Sequence, residues 1–116
     1  MVRGEIYFAD LAPRSGSEQT GRRPCVIVST DAFNGVASWR SITVVPLTTA
    51  ERWLETSPTT IQLEAGDANL SKRCAGLAHQ VTTIDKGKLL GNALGILSEP
   101  QMRQLNRALE NYLGLA

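Results

Sequence analysis

Residues 16–24 read GSEQTGRRP, and the rest of the chain is arranged around this stretch. It separates two apolar segments that predict β-strands, Glu5–Leu11 before it and Cys25–Ser29 after it. Its glycines, at positions 16 and 21, allow the positive backbone φ angles that a tight loop requires. We therefore predict a tight polar loop that connects two strands of a small sheet.

The end of this loop places a guanidinium group where loop becomes strand. Pro24 has a fixed φ and no N–H, which suits the first residue of a strand, and it biases Arg23 towards an extended conformation. The planar fork of an arginine matches the oxygens of a phosphate. Glu18 and Gln19 lie a few residues away, so one loop supplies a positive charge, a carboxylate and an amide.

Short apolar segments in the rest of the chain predict further strands, and two segments predict single helical turns. The strands are predicted at Ile42–Val45, Thr59–Leu63, Cys74–Val81 and Asn92–Leu97, and the turns at Thr30–Gly35 and Ile84–Leu89. Strands of this length with little helix predict an α+β domain that is built on a curved antiparallel sheet.

The C-terminal segment predicts an α-helix. Ser98 and Gln101 have the spacing of a capping box, and Gly114 can end the helix. Apolar residues then recur at helical spacing and form one face, which we expect to pack on the sheet: Met102, Leu105, Leu109, Tyr112 and Leu113.

Composition limits the classes of protein that the chain can belong to. Its 116 residues suit one domain over 1–116, and 42% hydrophobic residues fit a globular protein. A net charge of +1 argues against a broad basic face but allows a small phosphate-binding pocket. We find no membrane span or signal peptide and expect a cytoplasmic protein. Cys25 and Cys74 lie in apolar segments, without zinc-site spacing, and are predicted to be buried.

Three motifs in order resemble the MazF/PemK family of toxin endoribonucleases: the loop motif above, Pro46-Leu47-Thr48, and residues 79–86, HQVTTIDK. The likeness covers nearly the whole chain. It implies an SH3-like barrel of antiparallel strands with a C-terminal helix. It also implies a homodimer that cleaves single-stranded RNA without a metal or other cofactor, leaving a 2′,3′-cyclic phosphate and a 5′-hydroxyl. A further implication is inhibition by an antitoxin, for which we expect an acidic, partly apolar and initially disordered segment.

The resemblance places catalytic functions at Arg23 and Thr48. Arg23 would stabilise the crowded phosphorane, and the Thr48 hydroxyl would bind a phosphoryl oxygen. Glu18 is a candidate to accept a proton. Each residue has a structural alternative, because Arg23 and Glu18 could simply form an ion pair and Thr48 could cap the following turn.

RNA-binding functions are predicted for Gln19, Arg22, Gln80 and Thr82. Gln80 can read a base edge with its amide. Many family members have Lys or Arg where this chain has Thr82, so Arg22 could supply the phosphate contact instead. If residues 79–82 form a strand, Gln80 and Thr82 share a face and His79 points away from it, so we expect a structural or exposed position for His79.

Two other functions remain as alternatives. A non-enzymatic gyrase poison resembling CcdB depends on a tryptophan near the C-terminus, whereas residues 112–116 here read YLGLA. A plain RNA-binding barrel would carry aromatic residues across a strand face, and only 5% of the residues are aromatic. Trp39 and Trp53 are expected to pack in the core or in a dimer interface.

Overall fold

The apolar segments form antiparallel strands in the computed structural model, which describes residues 1–12, 16 and 20–115. Its strands are β1 (Glu5–Asp10), β2 (Arg22–Ile27), β3 (Ser41–Thr48), β4 (Thr60–Leu63), β5 (Cys74–Leu77), β6 (Thr82–Asp85) and β7 (Leu89–Ile96). The helices are α1 (Asp31–Asn34) and α2 (Glu99–Leu113), and four 3₁₀ turns cover Glu51–Trp53, Asp67–Asn69, Ala78–Gln80 and Lys86–Lys88.

Strand β3 is the centre of the sheet. The strand order is β4-β5-β3-β2-β1-β7, and β6 pairs with the first half of β3 while β5 pairs with its end. All of these pairings are antiparallel. The predicted α+β class, with antiparallel strands and a C-terminal helix, is confirmed.

Both faces of the central strands are buried, which explains why their sequences are almost continuously apolar. The helix-side core lies under α2 and includes Ile6, Val26, Val45, Leu47, Leu105 and Ala108. The opposite core lies on the other face and includes Ala9, Leu11, Cys25, Ile27, Ile42 and Val44. Neighbouring residues of β2 therefore point to different cores, and this alternation decides where each polar residue at the end of the strand points.

Helix α2 begins and ends as predicted. The Ser98 side chain accepts a hydrogen bond from the Gln101 N–H at 3.3 Å, and the Ser98 N–H donates to Gln101 Oε1 at 2.8 Å. Gly114 ends the helix in a left-handed conformation with φ of 71°. Leu105 is completely buried and Met102 and Leu109 are half-buried, so this part of the predicted apolar face packs on the sheet. Tyr112 and Leu113 are 52% and 51% exposed, so the prediction is wrong for the last turn of the helix.

Several predicted boundaries differ from the structure, and two predictions assign the wrong type of element. The expected strand Cys74–Val81 ends at Leu77, because the Val81 N–H donates to the Ala78 carbonyl at 3.1 Å and Ala78–Gln80 forms a 3₁₀ turn. The expected helical turn at Ile84–Leu89 begins as strand β6 and becomes a turn only at Lys86–Lys88. Pairing of β6 with β3 supplies the backbone hydrogen bonds that local sequence does not indicate.

A close contact holds the turn at Asp67–Asn69 against β7. A Cβ atom at Gly95 would collide with the Ala68 carbonyl, so only glycine fits there. Across that contact, Ala68 and Asn69 have φ angles of 46° and 63°. These left-handed conformations are unfavourable for residues other than glycine, and the contact with β7 maintains them.

Lys86 is buried with 7% of its surface exposed. Its Nζ donates to the carbonyls of Asn34 and Val36, each at 3.0 Å. The lysine thus joins the end of α1 to the turn after β6.

No helix in the described part of the chain is long and apolar enough to cross a membrane. Cys25 and Cys74 are buried, as predicted.

Candidate active site

The loop between β1 and β2 leaves and rejoins the sheet at one end. Asp10, the last residue of β1, lies opposite Arg22, the first residue of β2. The Leu11 N–H donates to the Gly21 carbonyl at 2.9 Å, and Gly21 has a φ of 77°, as the glycine pattern predicts. The candidate residues Glu18 and Gln19 lie outside the described residues.

Arg23 is held at the loop end of β2. It is half-buried and lies opposite Ala9 of β1. Its Nε donates to the Thr20 carbonyl at 3.1 Å, which ties the guanidinium to the loop. Because Arg23 has the same strand parity as Cys25, it points to the side of the sheet that carries the opposite core. Arg22 is exposed and, by the same alternation, points to the other side.

Thr48 is the last residue of β3 and is nearly buried, with 4% of its surface exposed. Its Oγ1 accepts a hydrogen bond from the Ala50 N–H at 3.2 Å. The hydrogen bond that was predicted as the structural alternative, in which Thr48 caps the following turn, is therefore present. That bond uses the hydroxyl as an acceptor, so the hydroxyl hydrogen can still be donated to a second group.

The strand register relates Arg23 to Thr48. Cys25 lies opposite Pro46, and the β2–β3 pairing is antiparallel. The paired residues end there, and Arg23 and Thr48 each lie two residues further along, on the same side of the sheet as Cys25 and Pro46. If the two strands kept this register to their ends, the two Cβ atoms would be about 5 Å apart, close enough for one phosphate group to contact both side chains. A fixed cation and a hydroxyl donor would then meet at the edge of the sheet.

Gln80 and Thr82 are placed differently from the prediction. Gln80 ends the 3₁₀ turn Ala78–Gln80, where the Val81 N–H donates to the Ala78 carbonyl at 3.1 Å. The prediction that Gln80 and Thr82 share a strand face is therefore wrong, because it assumed that residues 79–82 form a strand. Thr82 is the first residue of β6 and lies opposite Val44. At about 3.3 Å per residue, Val44 is roughly 13 Å along β3 from Thr48.

His79 belongs to an aromatic cluster and not to the Arg23 side of the sheet end. Its ring centroid lies 4.7 Å from that of Trp53 and 6.2 Å from that of Tyr112. Its Nδ1 is 3.4 Å from Thr59 Oγ1. These contacts agree with a structural position for His79, although the strand alternation used to predict it does not apply. Trp39 is 48% exposed and lies outside the core, so the expectation of core packing is wrong for Trp39.

The charges near the candidate site do not form a metal-binding group. Within residues 1–12, 16 and 20–115, no three His, Cys, Asp or Glu side chains lie close enough to hold an ion. Arg23 and the Thr48 hydroxyl can instead act directly on a negatively charged oxygen. The arrangement suits binding of a phosphoryl group and stabilisation of its negative charge.

A cleft that the sequence analysis did not identify opens at the same end of the sheet, on the helix side. It has a volume of about 440 Å³ and is lined in part by Phe8, Pro24 and Leu94. Phe8 is 42% exposed. The sequence offered one indication of this cleft, an aromatic residue, Phe8, within a strand. Strand alternation alone does not show that segments distant in the sequence close around that side chain.

Comparisons with known proteins find relatives along nearly the whole chain. A family model described as PemK-like, MazF-like toxin of type II toxin–antitoxin system matches residues 2–113. A curated relative, Endoribonuclease MazF of Staphylococcus saprophyticus, is 36% identical over 115 residues, which make up 99% of this chain and 92% of the relative.

Solved structures share the fold along the whole chain. An endoribonuclease in complex with its cognate antitoxin, from mycobacterial species, is 30% identical with a TM-score of 0.78, and the match covers 100% of this chain and 97% of that one. MazF from Deinococcus radiodurans is 24% identical with a TM-score of 0.79, and the match covers 98% and 96% of the two chains.

Proposed function

Because the chain belongs to the family of PemK-like, MazF-like toxins of type II toxin–antitoxin systems, we propose that it is an endoribonuclease that cuts single-stranded RNA at preferred sequences. Cleavage of mRNA in the cytoplasm would stop translation and growth. The observation that carries the proposal is the β2–β3 register, which pairs Cys25 with Pro46 and, if continued by two residues, would bring Arg23 opposite Thr48 at the loop end of the sheet. A relative named as an endoribonuclease, 36% identical over nearly the full length, supports it.

In the proposed reaction the RNA supplies its own nucleophile. The 2′-hydroxyl loses a proton to a base, for which Glu18 is the candidate, and its oxygen forms a bond to the adjacent phosphorus. The bond from phosphorus to the 5′-oxygen breaks, and that oxygen takes up a proton. The products are a 2′,3′-cyclic phosphate and a 5′-hydroxyl.

The site residues stabilise the charge that develops on phosphorus. Arg23 remains protonated at neutral pH, and its fork can contact two phosphoryl oxygens at once. Its bond to the Thr20 carbonyl holds the guanidinium in place before substrate binds. Thr48 donates its hydroxyl hydrogen to one of these oxygens. Preorganised donors of this kind need little rearrangement as charge develops, and this lowers the barrier.

The remaining candidate residues bind RNA away from the scissile phosphate. Arg22 is exposed and next to Arg23, where it can contact a neighbouring phosphate. Gln19 and Gln80 can hydrogen-bond to base edges, and Thr82 can bind a phosphate or a sugar hydroxyl. Thr82 lies along β3 from Thr48, so it would contact a nucleotide beyond the cleaved bond.

We further propose a homodimer that is inhibited by an antitoxin with an acidic, partly disordered segment. A relative at 30% identity was solved in complex with its cognate antitoxin. A carboxylate-rich segment could occupy the site around Arg22 and Arg23 in place of RNA. For the dimer, support comes from exposed apolar side chains along edge strand β7 and the end of α2, where Ile96 is 55% exposed and Leu113 is 51% exposed.

The test is incubation of purified protein with a long RNA in the presence of a strong chelator. We expect discrete fragments whose ends are a 2′,3′-cyclic phosphate and a 5′-hydroxyl. Arg23→Ala should abolish most cleavage, while Arg103→Ala, a matched change of an exposed arginine on α2, should cut as the unmodified protein does. Replacing the 2′-hydroxyl at the cleavage position by hydrogen should block cutting. Continued cutting of that substrate, or loss of activity with the chelator, would contradict the mechanism.

The same assay separates the alternative functions. A gyrase poison would leave RNA intact and inhibit supercoiling by purified gyrase. An RNA-binding barrel would shift the mobility of RNA without producing fragments.

A further inference from the structure

We propose that the cleft on the helix side of the sheet end is a binding pocket for one nucleobase of the RNA, next to the cleaved phosphate. The inference rests on the proposed RNA-cleaving function and adds a base-specific contact to it. The cleft has a volume of about 440 Å³, within the range of small-molecule sites. Its apolar walls include Phe8, Pro24, Leu70 and Leu94, and its polar rim includes Asn69 and Lys72.

The cleft is one residue away from both candidate catalytic side chains. Pro24 directly follows Arg23, and Thr49 directly follows Thr48, and both of these following residues line the cleft. Neighbouring Cα atoms are about 3.8 Å apart. Because strand residues alternate, Arg23 and Thr48 point to one side of the sheet while Pro24 points to the other. A nucleotide at the sheet edge can therefore present its phosphate to one side and its base to the other.

The chemistry of the walls suits a flat, partly polar ring. Phe8 is 42% exposed and lies opposite Pro24 in the β1–β2 pairing, so the two side chains are neighbours on one face. An exposed aromatic face is a stacking platform for any base. Cys74, also in the lining, is 3% exposed. Burial, followed by the charge of Asp67, raises the pKa of the Cys74 thiol to about 11, so this wall is uncharged at neutral pH.

The rim can distinguish one base edge from another. The Asn69 side chain donates through Nδ2 to the Leu94 carbonyl at 2.8 Å, which fixes its orientation and turns its oxygen into an available acceptor. Thr49 and Ser71 add hydroxyls, and Lys72 adds an exposed cation that can donate to a base carbonyl or a phosphate. Asn69 is in the left-handed turn that the Gly95 contact maintains. Unfavourable backbone conformations of this kind are concentrated at ligand sites.

A nucleobase fits these features better than an apolar side chain of a second protein copy. A dimer contact requires an extensive apolar surface, whereas this cleft is narrow and has amide, hydroxyl and ammonium groups at its rim. The cleft also lies at the end of the sheet that carries Arg22 and Arg23, where an RNA chain is already expected.

The test combines one protein substitution with one RNA substitution. After the cleavage position is mapped on a long RNA, short RNAs spanning it are made with 2′-deoxyribose at that position, so that they bind without being cut. In further copies, one nucleotide at a time lacks its base. Dissociation constants are measured by fluorescence anisotropy for the unmodified protein and for Phe8→Ala. Phe33→Ala is the control, because Phe33 is similarly exposed, at 49%, and lies outside the cleft.

We expect Phe8→Ala to weaken binding of the complete RNA about tenfold, the scale of one lost stacking contact. Removing one particular base next to the cleavage position should weaken binding to the unmodified protein by a similar factor. The same base removal should have little further effect on Phe8→Ala, because the stacking contact between that base and Phe8 has already been lost. Phe33→Ala should bind every RNA as the unmodified protein does.

Three results would overturn the inference: unchanged RNA binding by Phe8→Ala, additive effects of the two substitutions at every position, or dissociation of a dimer by Phe8→Ala in ultracentrifugation. If Phe8→Ala does not fold, Phe8→Leu keeps the apolar volume, lacks the aromatic face and replaces it in the cycle. If no long RNA is cut at all, the proposed function fails; if RNA is cut but the coupling is missing, only the pocket fails.

Discussion

Replacing Thr48 by valine separates the two functions that its hydroxyl can have. Valine has nearly the same shape, so the nearly buried site stays filled while the hydroxyl is lost. The structure shows one hydrogen bond to lose, from the Ala50 N–H at 3.2 Å. Because Ala50 is exposed, water can replace the lost partner, so we expect a loss of about 1 kcal/mol of unfolding free energy. For a chain of this length that lowers Tm by about 4 °C.

The catalytic effect should be much larger than this structural one. If the Thr48 hydroxyl donates to a phosphoryl oxygen, Thr48→Val should lower the cleavage rate at saturating RNA about a hundredfold, the usual effect of losing one preorganised donor. Thr48→Ser keeps the hydroxyl and should retain most of the rate. The assay is single-turnover cleavage of a labelled RNA at 25 °C, with thermal unfolding followed by circular dichroism on the same samples.

Ala50→Pro provides a matched control, because it removes the same hydrogen bond from its other end. Ala50 has a φ of −62°, which a proline ring can adopt. The substitution deletes the N–H that donates to Thr48 and leaves the hydroxyl in place. We expect stability to change and the cleavage rate to stay close to normal. A Thr48→Val protein with lowered Tm and a normal rate would refute the catalytic function and leave only the turn-capping one.

Substitutions at three charged residues test what their charges contribute. Arg23→Ala should reduce the cleavage rate about a hundredfold or more, and Arg23→Lys should restore little of it, because an ammonium group cannot reproduce the bidentate fork; single-turnover rates decide this. Arg22→Ala should weaken RNA binding and reduce the slope of log Kd against log salt by about one, measured by titration at several salt concentrations. The Gly87 N–H, at 2.7 Å, and then Arg40 hold the pKa of Asp85 below its usual range, so its stabilising effect is present at neutral pH and is lost as the pH falls through the lowered pKa. Asp85→Asn should therefore lower the unfolding free energy at pH 7. It should also reduce the loss of unfolding free energy on acidification, measured by urea titrations at several pH values. An unchanged dependence on acidic pH would contradict the assignment.

Local patterns in the sequence predict the elements whose hydrogen bonds are local. The capping box of Ser98 and Gln101 and the span of α2 are confirmed, because a helix satisfies its backbone groups within its own segment. The glycines of the loop and the apolar segments of β1 and β2 likewise agree with the structure. The family that the three motifs indicated is also confirmed.

The errors fall where the local apolar pattern does not decide the structure. The strand expected at Cys74–Val81 ends early because the Val81 N–H closes a 3₁₀ turn on the Ala78 carbonyl, and no glycine or proline in residues 78–81 marks that turn in the sequence. The strand alternation expected for His79 and Gln80 fails for the same reason, since side chains do not alternate between two faces in a turn. Phe8 is a local indication of the cleft beside it, but the cleft itself could not be predicted, because β1, β2, the Asn69–Lys72 segment and β7 meet only in the folded chain. Glu18 and Gln19 remain predictions from the sequence.

The buried position of Lys86 gives the three lysines of this chain very different chemical accessibility. Lys72 is exposed, Lys88 is half-buried with its Nζ on the Ala12 carbonyl, and Lys86 is enclosed by the carbonyls at the end of α1. An amine-reactive label added to the native protein should therefore modify Lys72 first and Lys86 last. Modification of Lys86 requires the segment after α1 to separate from the turn after β6, so its labelling rate, read by peptide mass spectrometry, measures how often this side of the sheet opens.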